Sequence, residues 1–132
     1  MNVVDSSGWL EYFAAGPNAG AFAKAIQDTR RLLVPSIVLL EVFRHVCRQR
    51  GEREANLAIE PLRCGTLVPL DETLAIAAAN IGVGERLPLA DSVILATARI
   101  CNATLWTQDA HFAGMEGVWF FPKTATPGIS DT

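Results

Sequence analysis

Short runs of apolar residues alternate with amphipathic segments along this chain. Apolar runs that predict buried strands lie at residues 1–4, 31–34, 66–69, 104–107 and 117–121. The segments between them carry apolar residues at helical spacing and begin with residues that favour helix starts. Strands separated by helices are typical of a parallel sheet with both faces covered. The pattern therefore predicts an α/β domain.

The helix boundaries follow from capping residues, prolines and glycines. Helices are predicted at residues 6–14, 18–28, 35–50, 52–64, 71–80 and 88–102. Ser6 or Ser7 is expected to cap the first helix and Asn18 the second. Pro61 is expected to kink or stop the fourth. Residues 1–122 are thus predicted to form a single domain, and the polar residues 123–132 a loosely held, flexible tail.

Composition narrows the class of protein. The 132 residues are 50% hydrophobic with a net charge of −3, which argues against a protein that coats nucleic acid by bulk charge. Three widely spaced cysteines argue against a disulfide framework or a zinc site, as in a reduced, cytoplasmic protein. No run approaches the roughly 18 apolar residues of a membrane span, and no signal peptide is recognised.

Four acidic residues stand in or directly after apolar runs, where charge is costly. They are Asp5, Glu41, Asp91 and Asp109. In open parallel sheets, functional sites form beyond the carboxyl ends of the strands. Asp5 and Asp109 follow predicted strands, whereas Glu41 and Asp91 lie near the starts of helices that begin at the same edge. All four should therefore meet there, provided that the first and fourth strands are neighbours.

Clustered carboxylates repel one another, and a hard divalent cation removes that penalty. Oxygen ligands alone favour Mg²⁺ or Mn²⁺ over zinc. Each acid also has a local alternative. Asp5 or Asp91 could cap a helix, Glu41 could face solvent, and Asp109 could form a turn with its own backbone.

At this point the motifs resemble those of PIN domains, and most closely those of VapC-type ribonuclease toxins from bacterial toxin–antitoxin pairs. The similar segments are Val3-Val4-Asp5-Ser6-Ser7, Pro35-Ser36 with Glu41, Leu89-Ala90-Asp91-Ser92 with Ala96-Thr97-Ala98, and Thr107-Gln108-Asp109-Ala110-His111-Phe112. Each motif is weak alone, but all four occur in the expected order. One departure is that Ala110 and His111 follow Asp109, where many members of the family have a further acid.

The resemblance implies a three-layer α/β/α fold with a central parallel five-stranded sheet. It implies that Asp5, Glu41, Asp91 and Asp109 are catalytic, that Asp5, Asp91 and Asp109 bind Mg²⁺ or Mn²⁺, and that RNA is cleaved. It also implies a cognate antitoxin partner and a homodimer. Hydrolysis assisted by the ion should leave 5′-phosphate and 3′-hydroxyl ends.

Supporting roles fall to hydroxyls and arginines near these acids. Ser6 and Thr107 are expected to orient a carboxylate or water, or only to make local turn bonds. Arg44 and Arg48 share a helix face and could bind RNA phosphates, meet an acidic antitoxin segment, or face solvent.

Other interpretations remain open. His45 and His111 could act as acid and base in a metal-independent ribonuclease that leaves a cyclic phosphate. Asp71, Thr107 and Lys123 loosely match a phosphoacceptor receiver domain. A PIN-like module without metal could serve only to bind a partner.

Overall fold

A computed structural model describes residues 1–124. Five strands occur in the order β1 (Asn2–Val4), β2 (Leu32–Pro35), β3 (Thr66–Val68), β4 (Thr104–Thr107) and β5 (Val118–Phe120). They form one parallel sheet with the spatial order β3-β2-β1-β4-β5. The predicted five-stranded parallel sheet is therefore confirmed, and so is the adjacency of the first and fourth strands. Most of the predicted tail, residues 125–132, lies outside the described residues.

Seven α-helices connect and cover the strands within the described residues. They are α1 (Ser6–Phe13), α2 (Ala19–Ile26), α3 (Ser36–Arg50), α4 (Glu52–Ala58), α5 (Glu60–Arg63), α6 (Glu72–Glu85) and α7 (Leu89–Ile100). Two single-turn 3-10 helices lie at Thr29–Arg31 and Ala110–Phe112. None of the helices in residues 1–124 is long and apolar enough to cross a membrane.

Both faces of the sheet are covered by helices. Successive residues of a strand point to opposite faces, yet Val3 and Val4 of β1 are both 0% exposed. Helix α2 contacts β1, and α7 contacts both β1 and β4. This arrangement is the predicted three-layer α/β/α architecture, with the main hydrophobic core around the central strands.

Local chemistry shifts several predicted boundaries. Pro61 starts a new short helix, α5, so the predicted helix over 52–64 is divided in two. Helix α6 runs to Glu85 and ends where Arg86 adopts a left-handed conformation, well past the predicted end at residue 80. Its two late glycines do not stop it, because α6 packs along α7 and buries Leu74 and Ala78 there.

Two predicted caps are wrong, and both corrections bear on the site. Helix α1 is capped by Asp5, whose side chain accepts a hydrogen bond from the backbone N–H of Gly8, and not by Ser6 or Ser7. Asn18 makes no capping bond to α2. Its side-chain amide instead donates to Gln108 and to the backbone carbonyl of Pro122, which ties the start of α2 to the chain around β4 and β5.

Gly8 permits the close packing of α1 beside β1. A Cβ at this position would lie 2.7 Å from Cγ1 of Val4 and 2.8 Å from the ring of Phe22. Such distances are well inside van der Waals contact, so only glycine fits without movement of its neighbours. The first turn of α1 is thereby held directly against the end of β1, where Asp5 lies.

Candidate metal centre

Asp5 is the most buried of the four predicted acids. It follows β1 and is 3% exposed. Its Oδ1 accepts hydrogen bonds from the Ser7 hydroxyl at 2.8 Å and from the Gly8 backbone N–H at 2.9 Å. Its Oδ2 accepts one from the Thr107 hydroxyl at 2.6 Å. A carboxylate has about four lone-pair positions, so one on Oδ2 remains for a further ligand.

Burial raises the pKa of the Asp5 carboxyl from its ordinary value of 3.8 to about 6. The hydrogen bonds from Thr107, Gly8 and Ser7 lower this pKa, and the negative charge of Asp109 raises it. Burial outweighs three favourable hydrogen bonds because the carboxylate loses nearly all of its water. A bound cation would remove this penalty, as expected of a carboxylate that serves as a metal ligand.

Glu41 is connected to Asp5 through Ser6. Glu41 lies in the second turn of α3, after Pro35 ends β2 and Ser36 begins the helix. Its Oε1 accepts a hydrogen bond of 2.6 Å from the hydroxyl of Ser6, the residue next to Asp5. Glu41 is therefore directed towards the carboxyl ends of the strands rather than only towards solvent.

Thr107 joins the end of β4 to the end of β1. Its hydroxyl donates to Asp5 and accepts a hydrogen bond of 2.9 Å from the backbone N–H of Asp109. The side chain is 0% exposed, so both contacts are shielded from water. One buried hydroxyl thus fixes the relative positions of Asp5 and of the turn that carries Asp109.

Asp109 and Asp91 meet at His111. The imidazole Nδ1 lies 2.9 Å from Oδ2 of Asp91 and 3.0 Å from Oδ1 of Asp109. Asp109 also accepts a hydrogen bond of 2.9 Å from the backbone N–H of His111, which caps the 3-10 helix. Asp91 lies in the first turn of α7, where the positive end of the helix dipole favours a carboxylate.

The charges of this cluster act on one another. Burial raises the pKa of Asp91, and the charges of Asp109 and Glu41 raise it further, whereas the charge and hydrogen bond of His111 lower it. The charge of Asp109 in turn raises the pKa of the His111 imidazole. Two of the other three acids, Asp109 and Glu41, therefore act on the carboxyl group of Asp91, although all three are far apart in the sequence.

A continuous series of contacts links all four predicted acids. The series runs Glu41, Ser6, Asp5, Thr107, Asp109, His111, Asp91. Ser6 is linked to Asp5 along the chain, and every other step is a hydrogen bond or a charge contact. The local alternatives for Asp5 and Asp109 are also observed, because each caps a helix while facing the others.

The donor set fits a hard divalent cation. Asp91, Asp109 and His111 each offer one ligand atom, and these atoms all lie within 4.8 Å of one another. Asp5 is connected to Asp109 through the hydroxyl of Thr107, and the charge of Glu41 acts on Asp91. Carboxylates surrounded by water-accessible space suit Mg²⁺ and Mn²⁺.

The predicted arginines lie on α3 beyond Glu41. Arg44 and Arg48 are exposed and line an open cavity together with Glu41, His45 and Gln49. The spacing of three and four residues places Glu41, Arg44 and Arg48 along one side of the helix. Positively charged side chains therefore lie next to Glu41, at one edge of the acidic cluster.

His111 was predicted only as one member of a histidine acid–base pair, and its contact with two acids was missed. The sequence signal that could have indicated this contact was the position of His111, two residues after Asp109 and directly before the apolar Phe112. Phe112 is fully buried and anchors the 3-10 helix, so the preceding residue must lie at the edge of the site. The short helix itself has no clear periodicity and could not be predicted.

The receiver-domain interpretation does not fit the sheet. Asp71 follows the edge strand β3, caps α6 by accepting from the N–H of Leu74, and is exposed. Strands β2 and β1 lie between β3 and β4, which carries Thr107. Three strand spacings of about 4.8 Å therefore separate the two residues, too far for one phosphoacceptor site.

The hydroxyl of Thr107 gives a direct test of the site's geometry. Replacing Thr107 with valine removes the bond to Asp5 and leaves the N–H of Asp109 without its acceptor. We expect the affinity for Mn²⁺ to fall by about 10- to 100-fold, the usual cost of losing a partner that orients a metal ligand. We also expect a loss of about 1–3 kcal/mol in the free energy of unfolding.

Thr97→Val is the matched control for this substitution. Thr97 is equally buried, but its hydroxyl donates to the carbonyl of Val93 within α7. The control should keep its affinity for Mn²⁺, because this hydroxyl contacts none of the acids. Equal Mn²⁺ affinities for Thr107→Val and the wild type in calorimetric titration would show that the bond from Thr107 has no part in positioning Asp5.

Comparisons with known proteins agree with this geometry. The sequence matches the PIN domain family over residues 3–118. No curated protein matches it significantly. A toxin–antitoxin complex from Klebsiella pneumoniae superposes with a TM-score of 0.75 at 22% identity, covering 90% of this chain and 96% of that one.

Two further solved structures share the fold. VapBC2 from Rickettsia felis, bound to a DNA fragment from its promoter, has a TM-score of 0.71 at 12% identity, covering 92% of this chain and 97% of that one. VapC20 of Mycobacterium tuberculosis, described as a toxin that cleaves the sarcin-ricin loop, has a TM-score of 0.63 at 18% identity, covering 79% and 85%. The family match spans nearly the whole described chain, and the parallel sheet and acidic cluster agree with it. This chain therefore belongs to the PIN domain family.

Proposed function

We propose that this protein is a metal-dependent endoribonuclease and the toxin of a type II toxin–antitoxin pair. The observation that carries the proposal is the series of contacts that joins four acids, distant in sequence, beside β1 and β4. The similarity to VapC20, which is described as a toxin that cleaves the sarcin-ricin loop, supports RNA as the substrate. We expect the protein to act in the cytoplasm, where its substrate is found.

In the proposed mechanism, the acids bind and orient the reactants. Asp5, Asp91 and Asp109 would hold Mg²⁺ or Mn²⁺, with Asp5 fixed by its three hydrogen bonds. An ion held by these residues would lower the pKa of a water molecule and stabilise negative charge on the phosphate. Glu41 uses Oε1 to accept from Ser6, which leaves Oε2 to accept a proton from the attacking water.

The products follow from water as the nucleophile. Its oxygen forms a bond to phosphorus as the bond from phosphorus to the 3′ oxygen breaks in line. The fragments then carry a 5′-phosphate and a 3′-hydroxyl. A histidine acid–base pair would instead use the 2′-hydroxyl and leave a cyclic phosphate, so the ends distinguish the two mechanisms.

The direct test is cleavage of a single-stranded RNA oligonucleotide by the purified protein. We expect cleavage with Mg²⁺ or Mn²⁺, none with EDTA, and recovery when the ion is restored. The ends are identified by mass spectrometry, with an RNA carrying a single 2′-deoxy substitution at the cleaved position as a control. Cleavage that persists in EDTA, or that needs the 2′-hydroxyl, would contradict the proposal.

We further propose that Arg44 and Arg48 bind RNA phosphates next to the scissile bond. Each phosphate neutralised on a single strand contributes about 0.7 to the slope of log affinity against log salt. In an Asp5→Asn background, which should not cleave, replacing both arginines with alanine should lower this slope by about 1.4. Fluorescence anisotropy of labelled RNA over a salt series measures it.

Arg30 and Arg31 provide a matched control pair. They are also exposed, but they lie directly before β2, at the opposite edge of the sheet from the acids. Replacing both with alanine should leave the slope unchanged. An unchanged slope after loss of Arg44 and Arg48 would assign these two residues to another partner, such as an acidic antitoxin segment.

An antitoxin partner and a homodimer complete the proposal. The Klebsiella pneumoniae and Rickettsia felis structures that share this fold are described as toxin–antitoxin assemblies. The expected assemblies are a dimer of this chain in light scattering and a complex with the antitoxin in which RNA cleavage is blocked.

A further inference from the structure

The backbone of His111 is held in place by the residues on both sides of it. It is the middle residue of the 3-10 helix at Ala110–Phe112. Phe112 is buried in the main core, and the carboxylate of Asp109 accepts from the His111 backbone N–H. The backbone is thus held on both sides, although the imidazole itself is 57% exposed. This geometry directs Nδ1 into the acidic cluster.

The distances around Nδ1 match those of ligand atoms on one ion. Nδ1 is 2.9 Å from Oδ2 of Asp91 and 3.0 Å from Oδ1 of Asp109. Neighbouring ligands of an octahedral ion at about 2.0–2.1 Å are roughly 2.9–3.0 Å apart. One proton on Nδ1 cannot form two strong hydrogen bonds at once, whereas one ion can bind all three atoms. Both distances from Nδ1 to the carboxylates therefore match those between neighbouring ligands of one ion, and all three atoms lie within 4.8 Å of one another.

We propose that His111 is a direct ligand of the divalent ion in this site, through Nδ1, and gives the site a preference for Mn²⁺ over Mg²⁺. This inference depends on the proposed function in that it concerns the same ion. Mg²⁺ strongly prefers oxygen, whereas an imidazole nitrogen suits transition metals. A site that adds one imidazole to its carboxylates should therefore differ in metal choice from a site of carboxylates alone.

The chain is well suited to a spectroscopic test, because it contains only two histidines, His45 and His111. The purified protein is loaded with Mn²⁺ without RNA, and electron spin echo envelope modulation detects nitrogen bound to the ion. His45→Gln is the matched control, since His45 is exposed on α3 and contacts none of the acids in the described hydrogen bonds. Nitrogen coupling should persist in this variant and change when histidine is labelled with nitrogen-15.

A second variant replaces the single imidazole of the site with a carboxylate. His111→Asp keeps a ligand at this position but replaces nitrogen with oxygen. We expect it to bind Mn²⁺ without nitrogen coupling. We also expect the ratio of Mn²⁺ to Mg²⁺ affinity, measured by calorimetric competition, to fall about tenfold or more.

The outcomes separate this inference from the proposed function. Mn²⁺ that binds in competition with Mg²⁺ but shows no histidine nitrogen coupling would overturn the role of His111 and leave the carboxylate site intact. Failure of the wild-type protein to bind Mn²⁺ at all would overturn both. Whether His111 binds the ion is decided by the spectra of the wild type and of His45→Gln. The test therefore does not require His111→Asp to fold.

Discussion

Replacing Asp5 with asparagine is expected to reduce RNA cleavage by at least a hundredfold while leaving the fold intact. Loss of a residue that only orients a metal ligand costs about 10- to 100-fold, so loss of a central ligand should cost at least the upper figure. Asparagine keeps one oxygen to accept from Gly8 and Ser7, and its amide can donate to the hydroxyl of Thr107. The substitution therefore removes a charge without emptying the pocket.

Initial rates at saturating Mg²⁺ measure this effect, and circular dichroism checks the fold. Asp71→Asn is the matched control, because Asp71 also follows a strand and caps a helix but lies outside the acidic cluster. The control should cleave RNA at the wild-type rate. Near-normal cleavage by Asp5→Asn would show that the buried carboxylate has no part in catalysis.

The same substitution should stabilise the metal-free protein at neutral pH. The pKa of Asp5 is raised from 3.8 to about 6 by burial. Between these two values the folded state binds more protons than the unfolded state, so stability falls as pH rises. A shift of this size corresponds to about 3 kcal/mol, all of which is lost once the pH exceeds the folded-state pKa. Asparagine carries no charge and avoids this loss.

The measurement is the free energy of unfolding in denaturant, in EDTA, from about pH 4 to about pH 8. The stability of Asp5→Asn minus that of the wild type should increase by up to about 3 kcal/mol over this range. The difference between variants isolates Asp5, because the other carboxyl groups titrate in both proteins. If the difference in stability between Asp5→Asn and the wild type did not change with pH, burial would not raise the pKa of Asp5.

Mg²⁺ should stabilise the wild type much more than Asp5→Asn. It should stabilise the wild type at about pH 8, since it binds the folded state through the clustered carboxylates. It should have little effect on Asp5→Asn, which lacks a central ligand. The acid that catalysis requires would then be the residue that lowers the stability of the metal-free fold.

Much of the fold could be predicted from the sequence, because strong local signals agree with the tertiary structure. Buried runs such as Val3-Val4 mark strands, and Pro35-Ser36 marks the start of α3. The ends of helices were less predictable where packing decides them. Helix α6 continues through Gly82 and Gly84 because its contact with α7 outweighs the cost of two glycines.

The four acids of the candidate site could also be proposed from the sequence, since a charged residue beside an apolar run is costly unless it is paired or binds a metal. To predict that these acids lie close together, one further condition was needed, namely that β1 and β4 are neighbours in the sheet. The hydrogen bonds that orient the acids could not be predicted. The capping of α1 by Asp5 and the position of Nδ1 of His111 depend on side-chain directions that sequence spacing does not fix.

The central claim is that Asp5, Asp91 and Asp109 hold one divalent ion between them. A crystal of the protein soaked in Mn²⁺ tests it through the anomalous signal of the ion. We predict a peak within bonding distance, about 2.0–2.2 Å, of carboxylate oxygens from Asp91 and Asp109, with Asp5 beside it directly or through water. Mn²⁺ bound only elsewhere on the molecule, with the pocket between these acids empty, would contradict the account.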